Sequence, residues 1–582
     1  MNPPAGLPPE TGDGLLSERL RQYAVAQPEA RAYVLLSERG HQEAAISFAG
    51  LHARATGLAH RMAGQAGVGE RALLLFPTGI DFVVAFFACL IARIIAVPMM
   101  LPRRQSTRDA SASILADCAP RLALTTSEVL AGRRGDIVSR LQSPDLTWLA
   151  VDSAALGAAA AGAELARAGP DDIAFLQYTS GSTAVPKGVM VRHRNLIANL
   201  EMSRAAFGGS AHSTCVSWVP LFHDMGLVFN AMRATYVGAL CVLLPPAAFL
   251  QRPWLWLRAI HEYRGEIAAA PNFAYDLCVD RYRPETAAGL DLSGWRFALN
   301  GAEPIRAATL QRFAETFAPH GFEPSALYPA YGLAEATVMA AAGNRGGGWS
   351  VRRLDRAALQ QGDARSAEPG EGGRLAVGCG RALAGERIAI VSPEDCRRLA
   401  PDQVGEIWLS GPHIAKGYWG NSAATRAAFR ARIAGEDDTP WLRTGDLGFL
   451  DQTGELFVTG RLKEVIIIRG VNHYPQDIEN TVQNCHPALR RDGGAAFAVA
   501  DENGPERLIV VQEVERTERH RIEPAKVIGA IREAIVTEHE IAPAQILLLR
   551  PGSLPKTTSG KIQRGVAAQM WRDGALTLLD GG

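Results

Sequence analysis

The sequence has no charge imbalance: 60 Lys and Arg stand against 60 Asp and Glu over 582 residues. This excludes a polyanion-binding surface spread over the whole chain, so nucleic acid is not an expected partner, while small anions remain open to local patches. It also has no Cys-x-x-Cys pair. The eight cysteines, at positions 89, 118, 215, 241, 278, 379, 396 and 485, are scattered, which excludes a zinc ribbon, a redox dithiol or a disulfide framework and fits a reducing, cytoplasmic setting. No apolar run is long enough to span a bilayer. The most apolar stretch, Leu73 to Leu101, is broken by Pro77, Asp81, Arg93 and Pro98, so stable membrane insertion is not expected and the stretch reads as a buried strand and helix. The Pro-rich start, Met1 to Thr11, lacks the basic-then-apolar order of a signal peptide and reads as a frayed terminus.

What is present is enough chain for one large multilayer domain and at least one smaller one. Between Ser47 and Leu124, apolar runs at Ala72 to Phe76, Ile94 to Val97 and Leu122 to Thr125 alternate with helical stretches at Phe48 to Ala63 and Phe82 to Ile91. The pattern returns with strands at Val216 to Val219, Leu240 to Leu244 and Glu266 to Ala270. Strand, helix, strand predicts a helix-covered parallel sheet, hence an α/β fold. The Ala-rich stretch Ala154 to Ala168 reads as a surface helix or linker. Gly343 to Leu375, with a short helical run near Arg356 to Gln361, looks inserted. After it, Arg387 to Val391, Gly405 to Ser410 and Glu455 to Thr459 predict a β-rich subdomain. From Arg461 onward, strands and helices alternate as in a small α+β domain. The expected division is a large N-terminal domain, 1–460, with the extra segment near 349–375, and a small mobile C-terminal domain, 461–582.

The densest chemistry lies in Tyr178-Thr-Ser-Gly-Ser-Thr-Ala-Val-Pro-Lys-Gly-Val-Met-Val191. A buried strand, Ile173 to Tyr178, runs into a turn in which backbone N–H groups and the hydroxyls of Thr179, Ser180, Ser182 and Thr183, beside Gly181, face anionic oxygens. Lys187 adds a point charge. Pro186 and Gly188 flank that lysine and a second strand follows, so this is not the common nucleotide loop, and the turn joins two strands. A solvated Ser/Thr/Gly turn is the bland alternative.

Three more segments share this character. Asn300-Gly-Ala-Glu-Pro304 ends a strand with a glycine turn carrying Gly301, Ala302 and Glu303. Tyr328-Pro-Ala-Tyr-Gly-Leu-Ala-Glu-Ala-Thr337 offers Tyr331 and Gly332 as an aromatic face and Glu335 as a hard oxygen ligand, with plain packing and a helix-start carboxylate as the alternatives. Trp441-Leu-Arg-Thr-Gly-Asp-Leu-Gly-Phe449 sets Asp446 in a tight Gly-flanked turn, suited to two ribose hydroxyls or to holding the turn itself. Arg461 and Lys463 fall at the expected domain junction, and Leu554-Pro-Lys-Thr-Thr-Ser-Gly-Lys-Ile-Gln-Arg564 is a basic loop in which Lys561 is either solvated or delivered into a site.

In this order, these segments resemble the adenylate-forming superfamily of acyl-CoA synthetases, peptide-synthetase adenylation domains and luciferases, over about Leu20 to Arg564. Val219-Pro-Leu-Phe-His-Asp-Met-Gly-Leu227, the form Tyr-Gly-Leu-Ala-Glu-Ala-Thr, Asn472-His-Tyr-Pro-Gln-Asp-Ile-Glu479 and the extra segment near 349–375 resemble the fatty acyl-AMP ligases within it. Ala334 stands where much of the superfamily has Thr, as it does in the acyl-AMP ligases, and Ala184 takes a position often held by Ser, Gly or Thr.

The resemblance implies that a medium- or long-chain fatty acid attacks the α-phosphorus of ATP, giving acyl-AMP and pyrophosphate. It further implies that Thr179 to Lys187 embrace the β and γ phosphates, Glu335 binds Mg²⁺, Tyr331 stacks adenine beside Gly301 to Glu303, and Asp446 holds the ribose. Arg461 contacts the ribose or α-phosphate, Lys561 bridges the carboxylate and α-phosphate, Lys463 is the hinge, and His223 guards the carboxylate end of the acyl pocket, unless it is a structural histidine. The acceptor it implies is the phosphopantetheine thiol of an acyl carrier protein of lipid, polyketide or lipopeptide biosynthesis. No Asp-Ser carrier motif follows Arg564, so that carrier is expected on another polypeptide. The rival readings are a long-chain acyl-CoA synthetase and a non-catalytic sensor of fatty acid or nucleotide on the same fold.

Overall fold

The structure, a computed structural model, describes residues 14–101, 111–132, 146–152, 165–179, 186–343, 347–368, 370, 373–468, 471–499, 506–557 and 560–579. Two large sheets form its body. The six-stranded sheet runs Thr147–Ala150, Leu122–Thr125, Arg71–Leu75, Ile95–Met99, Ile173–Thr179, Lys187–Arg192, parallel except for the last, antiparallel pair. The nine-stranded sheet has six parallel strands at its centre, ordered Leu327–Tyr331, Phe297–Asn300, Ile267–Ala270, Thr214–Ser217, Leu240–Leu243 and Arg31–Leu36. Antiparallel strands finish both of its edges.

The parallel strands read as continuous apolar runs because both faces are covered. Leu122–Thr125 and Ile267–Ala270 are buried at every residue. The helix Ile80–Ala92 is apolar almost all round because it packs against strands of both sheets. Its neighbour Phe48–Ala63 starts on the Ser47 hydroxyl, which accepts from the Gly50 N–H at 3.1 Å. The expected strands and helices of this region are present, within a few residues at each end.

A four-stranded antiparallel sheet follows, Arg387–Val391, Gly405–Ser410, Leu442–Leu450 and Leu456–Arg461. Here one expectation is corrected. Asp446 lies inside the strand Leu442–Leu450 and not in a turn. Gly445 takes a left-handed φ of 73° and the pairing register shifts twice along this strand, so the glycine pair bulges a continuing strand where the sequence suggested a reversal.

The segment expected to be inserted is an antiparallel pair, Val351–Leu354 with Arg374–Val377, enclosing the short helix Arg356–Gln360. Asp355 caps that helix by accepting from the Ala358 N–H at 3.0 Å. The C-terminal part is α+β: a sheet of Leu489–Val499, Arg507–Val514 and Gln545–Leu549 packed against the helices Pro475–Cys485, Pro524–His539 and Arg564–Arg572. The fold is α/β: helix-covered sheets and a β-rich subdomain, then this smaller unit. The helix or linker expected at Ala154 to Ala168 falls mostly outside the described residues. All eight cysteines are free thiols, and among the described residues no helix is long and apolar enough to cross a membrane.

Candidate active site

A cleft of about 2300 Å³ opens between the sheets and the C-terminal unit. It lies beyond the carboxyl ends of the parallel strands, where open α/β sheets bind ligands. Four of these strands feed it: Thr214–Ser217 leads to His223, Phe297–Asn300 to Glu303, Leu327–Tyr331 to Glu335, and Ile173–Thr179 into its hairpin with Lys187–Arg192. Thr179 and Lys187 are register partners at the mouth of that hairpin, as expected for a loop joining two strands. Ser180, Gly181, Ser182, Thr183 and Ala184 lie outside the described residues.

Backbone geometry explains two of the glycines. Gly332 follows Tyr331 where a Cβ would sit 1.8 Å from the Val338 carbonyl oxygen, and a Cβ on Gly301 would sit 2.8 Å from that of Ala330. Only glycine lets these two loops nest at the cleft floor. Ala302 accepts a left-handed φ of 68° to turn the chain, and Glu303 then accepts a hydrogen bond from the Phe273 N–H at 2.6 Å.

Tyr331 and Asp446 meet across 115 residues of sequence: the Tyr331 hydroxyl donates to Asp446 Oδ2 at 2.9 Å. Arg461, the cross-strand partner of Asp446, donates from Nε to Oδ1 at 2.9 Å. Each carboxylate oxygen thus keeps a lone pair for a further donor. Glu335 stands on the short 3₁₀ turn Ala334–Ala336, where the Tyr418 hydroxyl donates to its Oε1 at 2.8 Å and the Lys187 ammonium lies 4.9 Å from the centre of the Tyr418 ring. Lys463, in the turn Leu462–Glu464 between two sheets, is exposed at the cleft wall.

Lys561 reaches the cleft from the C-terminal unit. Its loop closes on itself: the Thr557 N–H donates to the Lys561 carbonyl at 2.7 Å and the Lys561 N–H donates to the Thr557 hydroxyl at 3.0 Å. Arg564 fixes the far end, donating twice to Glu479, at 2.7 and 2.6 Å, and once to Glu464, at 2.6 Å. The Lys561 side chain is open to water within the cleft while protein walls surround it. That partial loss of water holds its ammonium below its ordinary range, against the pull of Asp224.

The same charge and the same walls tune the neighbours. Burial, then Lys561, pushes the His223 imidazole down to about 4, so it is neutral at physiological pH. Burial raises Asp224, which caps the π-type helix Met225–Met232 by accepting from the Met225 N–H at 2.8 Å. Burial pushes Glu303 up to about 7. Attraction to Asp446, the chief cause, holds the Arg461 guanidinium above its usual range. Beside this charged end, Trp218, Pro220, Phe222, Leu250, Phe273 and Leu277 make one side of the cleft apolar.

The cleft therefore gathers Thr179, Lys187, His223, Ala302, Glu303, Tyr331, Gly332, Glu335, Asp446, Arg461, Lys463 and Lys561, with Gly301 lining a small pocket beside it. Sequence reasoning missed Asp224, Tyr418, Arg564 and Arg374. Asp224 sits beside the histidine that was singled out, and Tyr418 is the centre of a Gly-Tyr-Trp run, the only local signal either offers.

Comparison with known proteins shows the family. The family model described as AMP-binding enzyme matches residues 20–419, and that described as the Disco-interacting protein 2-like AMP domain matches 463–580. A medium-chain-fatty-acid–[acyl-carrier-protein] ligase of Moorena producens is 42% identical over 96% of this chain and 95% of its own. A Mycobacterium tuberculosis protein provisionally named a fatty-acid–CoA ligase is 37% identical over 96% of this chain and 98% of its own. The fatty acyl-adenylate ligase of L. pneumophila, solved in complex with acyl adenylate and pyrophosphate, superimposes with a TM-score of 0.74 at 35% identity over 97% of both chains. The chain belongs to the AMP-binding, adenylate-forming enzyme family, and within it to the fatty acyl-AMP ligases.

Proposed function

We propose that the protein activates a medium- or long-chain fatty acid with ATP to acyl-AMP and passes the acyl group to the phosphopantetheine thiol of an acyl carrier protein. The observation that carries this reading is the convergence of Lys561, Arg461, Asp446 and Glu335 on one cleft whose adjoining wall is apolar.

In the first step a carboxylate oxygen bonds to the α-phosphorus while the bond from that phosphorus to the bridging oxygen breaks, and pyrophosphate leaves. Two anions must approach, so the residues contribute charge neutralisation and alignment more than proton transfer. Lys561 bridges the attacking carboxylate and the α-phosphate. Thr179 and Lys187, with Ser180 to Thr183 of the sequence between them, take the outer phosphates. Asp446, with Arg461, takes the ribose hydroxyls, and adenine lies on Tyr331 beside Gly301 to Glu303. Neutral His223 adds a hydrogen bond at the carboxylate end without a second cation beside Lys561. The alkyl chain takes the side lined by Trp218, Phe222, Leu250 and Phe273.

Glu335 suits Mg²⁺. Among the described residues no group of three or more His, Cys, Asp or Glu side chains gathers as a metal cage, and a single hard carboxylate sharing an ion with substrate phosphates and water is the usual way Mg²⁺ is held. Bound there, the ion neutralises phosphate charge; Tyr418 orients the carboxylate that holds it.

In the second step the thiol sulfur bonds to the acyl carbon, the bond from that carbon to the AMP oxygen breaks, and the thiol proton passes to solvent. We place the domain boundary at 460/461 and the hinge at Lys463. The insertion supports a carrier thiol over free coenzyme A because it grips the C-terminal unit. Arg356 pairs with Glu538 at 3.0 Å, Arg374 pairs with Asp477 at 3.1 Å and lies 4.8 Å over the Tyr474 ring, and the Gln360 carbonyl accepts from Asn472. Purified protein with Mg²⁺, ATP and a panel of saturated acids from hexanoate to stearate tests the first step. Fatty-acid-dependent pyrophosphate release with acyl-AMP in the mass spectrum supports it; no release with any acid contradicts it.

A further inference from the structure

Arg306 and Asp492 join the C-terminal unit to the rest of the molecule at the cleft edge. Arg306 presents its fork bidentately: Nη1 meets Asp492 Oδ1 at 2.6 Å and Nη2 meets Oδ2 at 3.2 Å. Planar guanidinium and carboxylate matched this way fix orientation as well as distance. Both partners are aimed before they meet. Nη2 of Arg306 also donates to Asp276 at 2.9 Å, and its backbone N–H donates to Asn272 at 3.2 Å. Asp492 takes a left-handed φ of 51°, and its N–H donates to Gln483, on the helix Pro475–Cys485, at 2.8 Å. That left-handed conformation, uncommon outside glycine, is held here by the Gln483 contact.

The position ties the pair to chemistry. Arg306 lies three residues beyond Glu303, on the loop that feels the Lys561 charge. Asp492 lies at the register break of the strand Leu489–Val499, whose sheet carries the Lys561 loop. Burial works against charge on both partners, yet their mutual hydrogen bonds and attraction prevail, leaving Asp492 below the ordinary carboxylate range and Arg306 above its own. We propose that Arg306–Asp492 is a positioning latch that fixes the C-terminal unit in its adenylation orientation, with Lys561 in the cleft, and parts when the acyl-AMP is handed to a thiol. The latch rests on the reading that Lys561 serves the first step. Neither residue contacts the reacting atoms in this role; both act through the placement of Lys561.

The test separates the half-reactions. With decanoate, ATP and Mg²⁺, Asp492→Asn should slow pyrophosphate release about tenfold, the scale expected when one partner of a partly buried charge pair is neutralised. Asp492→Glu should recover most of it. Transfer from supplied decanoyl-AMP to pantetheine should stay within about twofold of wild type, because that step needs the latch open. Small-angle X-ray scattering should show a larger radius of gyration for Asp492→Asn than for wild type. Unchanged pyrophosphate release, or both half-reactions falling together with the melting temperature, would overturn the latch. If wild type releases no pyrophosphate from any acid tried, the fatty-acid reading fails, and the scattering alone judges the latch: identical curves reject it.

Discussion

Asp446 and Arg461 face each other on adjacent antiparallel strands, joined by a 2.9 Å hydrogen bond, with Tyr331 on the other carboxylate oxygen. One carboxylate thereby fixes a cation and an aromatic ring around the same point in the cleft. Asp446→Asn removes the charge that orders Arg461, and the dissociation constant for ATP is expected to rise about tenfold to a hundredfold by titration calorimetry, the scale of losing a charged hydrogen-bonded partner. A change within twofold would count against the ribose assignment.

Lys561 acts in the transition state more than in ground-state binding. Lys561→Ala should lower pyrophosphate release by about a hundredfold or more, while affinity for a non-hydrolysable ATP analogue moves less than about threefold. Near-normal turnover would remove this lysine from the first step.

Tyr418 holds Glu335 and stacks against Lys187. Tyr418→Phe keeps the ring and removes only the hydroxyl. The Mg²⁺ concentration for half-maximal pyrophosphate release should rise about tenfold, as for other outer partners of metal ligands. An unaltered Mg²⁺ titration would show that the hydroxyl serves packing alone.

Glu303 gives stability a pH signature. Its folded carboxyl titrates near 7, against an ordinary value of 4.5, so between those values the folded state holds the proton more firmly and stability falls as pH rises. Glu303→Gln cannot titrate. Relative to that variant, wild type should lose up to about 3 kcal/mol between pH 4.5 and 7 and nothing further above. Urea unfolding of both proteins at pH 5 and 7.5 measures this, and parallel curves at the two pH values would refute it.

The sheets were legible because period and composition are local: the mostly apolar runs at Leu122–Thr125 and Ile267–Ala270 announce strands covered on both faces. Asp446 was a candidate from its sequence setting but was misplaced in a turn, since a glycine pair marks a bulge and a reversal equally well. Partnerships were not legible. Glu335 and Tyr418 are 83 residues apart, and Arg306 and Asp492 are 186 apart. Nothing in either local pattern encodes such meetings; topology creates them. For the same reason the segment that looked inserted gave no sign that its Arg356 and Arg374 lie against the C-terminal unit.

The acceptor is the central claim, and a competition assay judges it directly. Wild-type protein with decanoate, ATP and Mg²⁺ is offered equimolar coenzyme A and a holo acyl carrier protein, and products are counted by mass spectrometry. The account predicts acyl-AMP and decanoyl-carrier with little decanoyl-CoA, and a rise in decanoyl-CoA when Arg356→Ala and Arg374→Ala together loosen the grip of the insertion. Rapid, stoichiometric decanoyl-CoA from the wild type, with the carrier left unacylated, would contradict it.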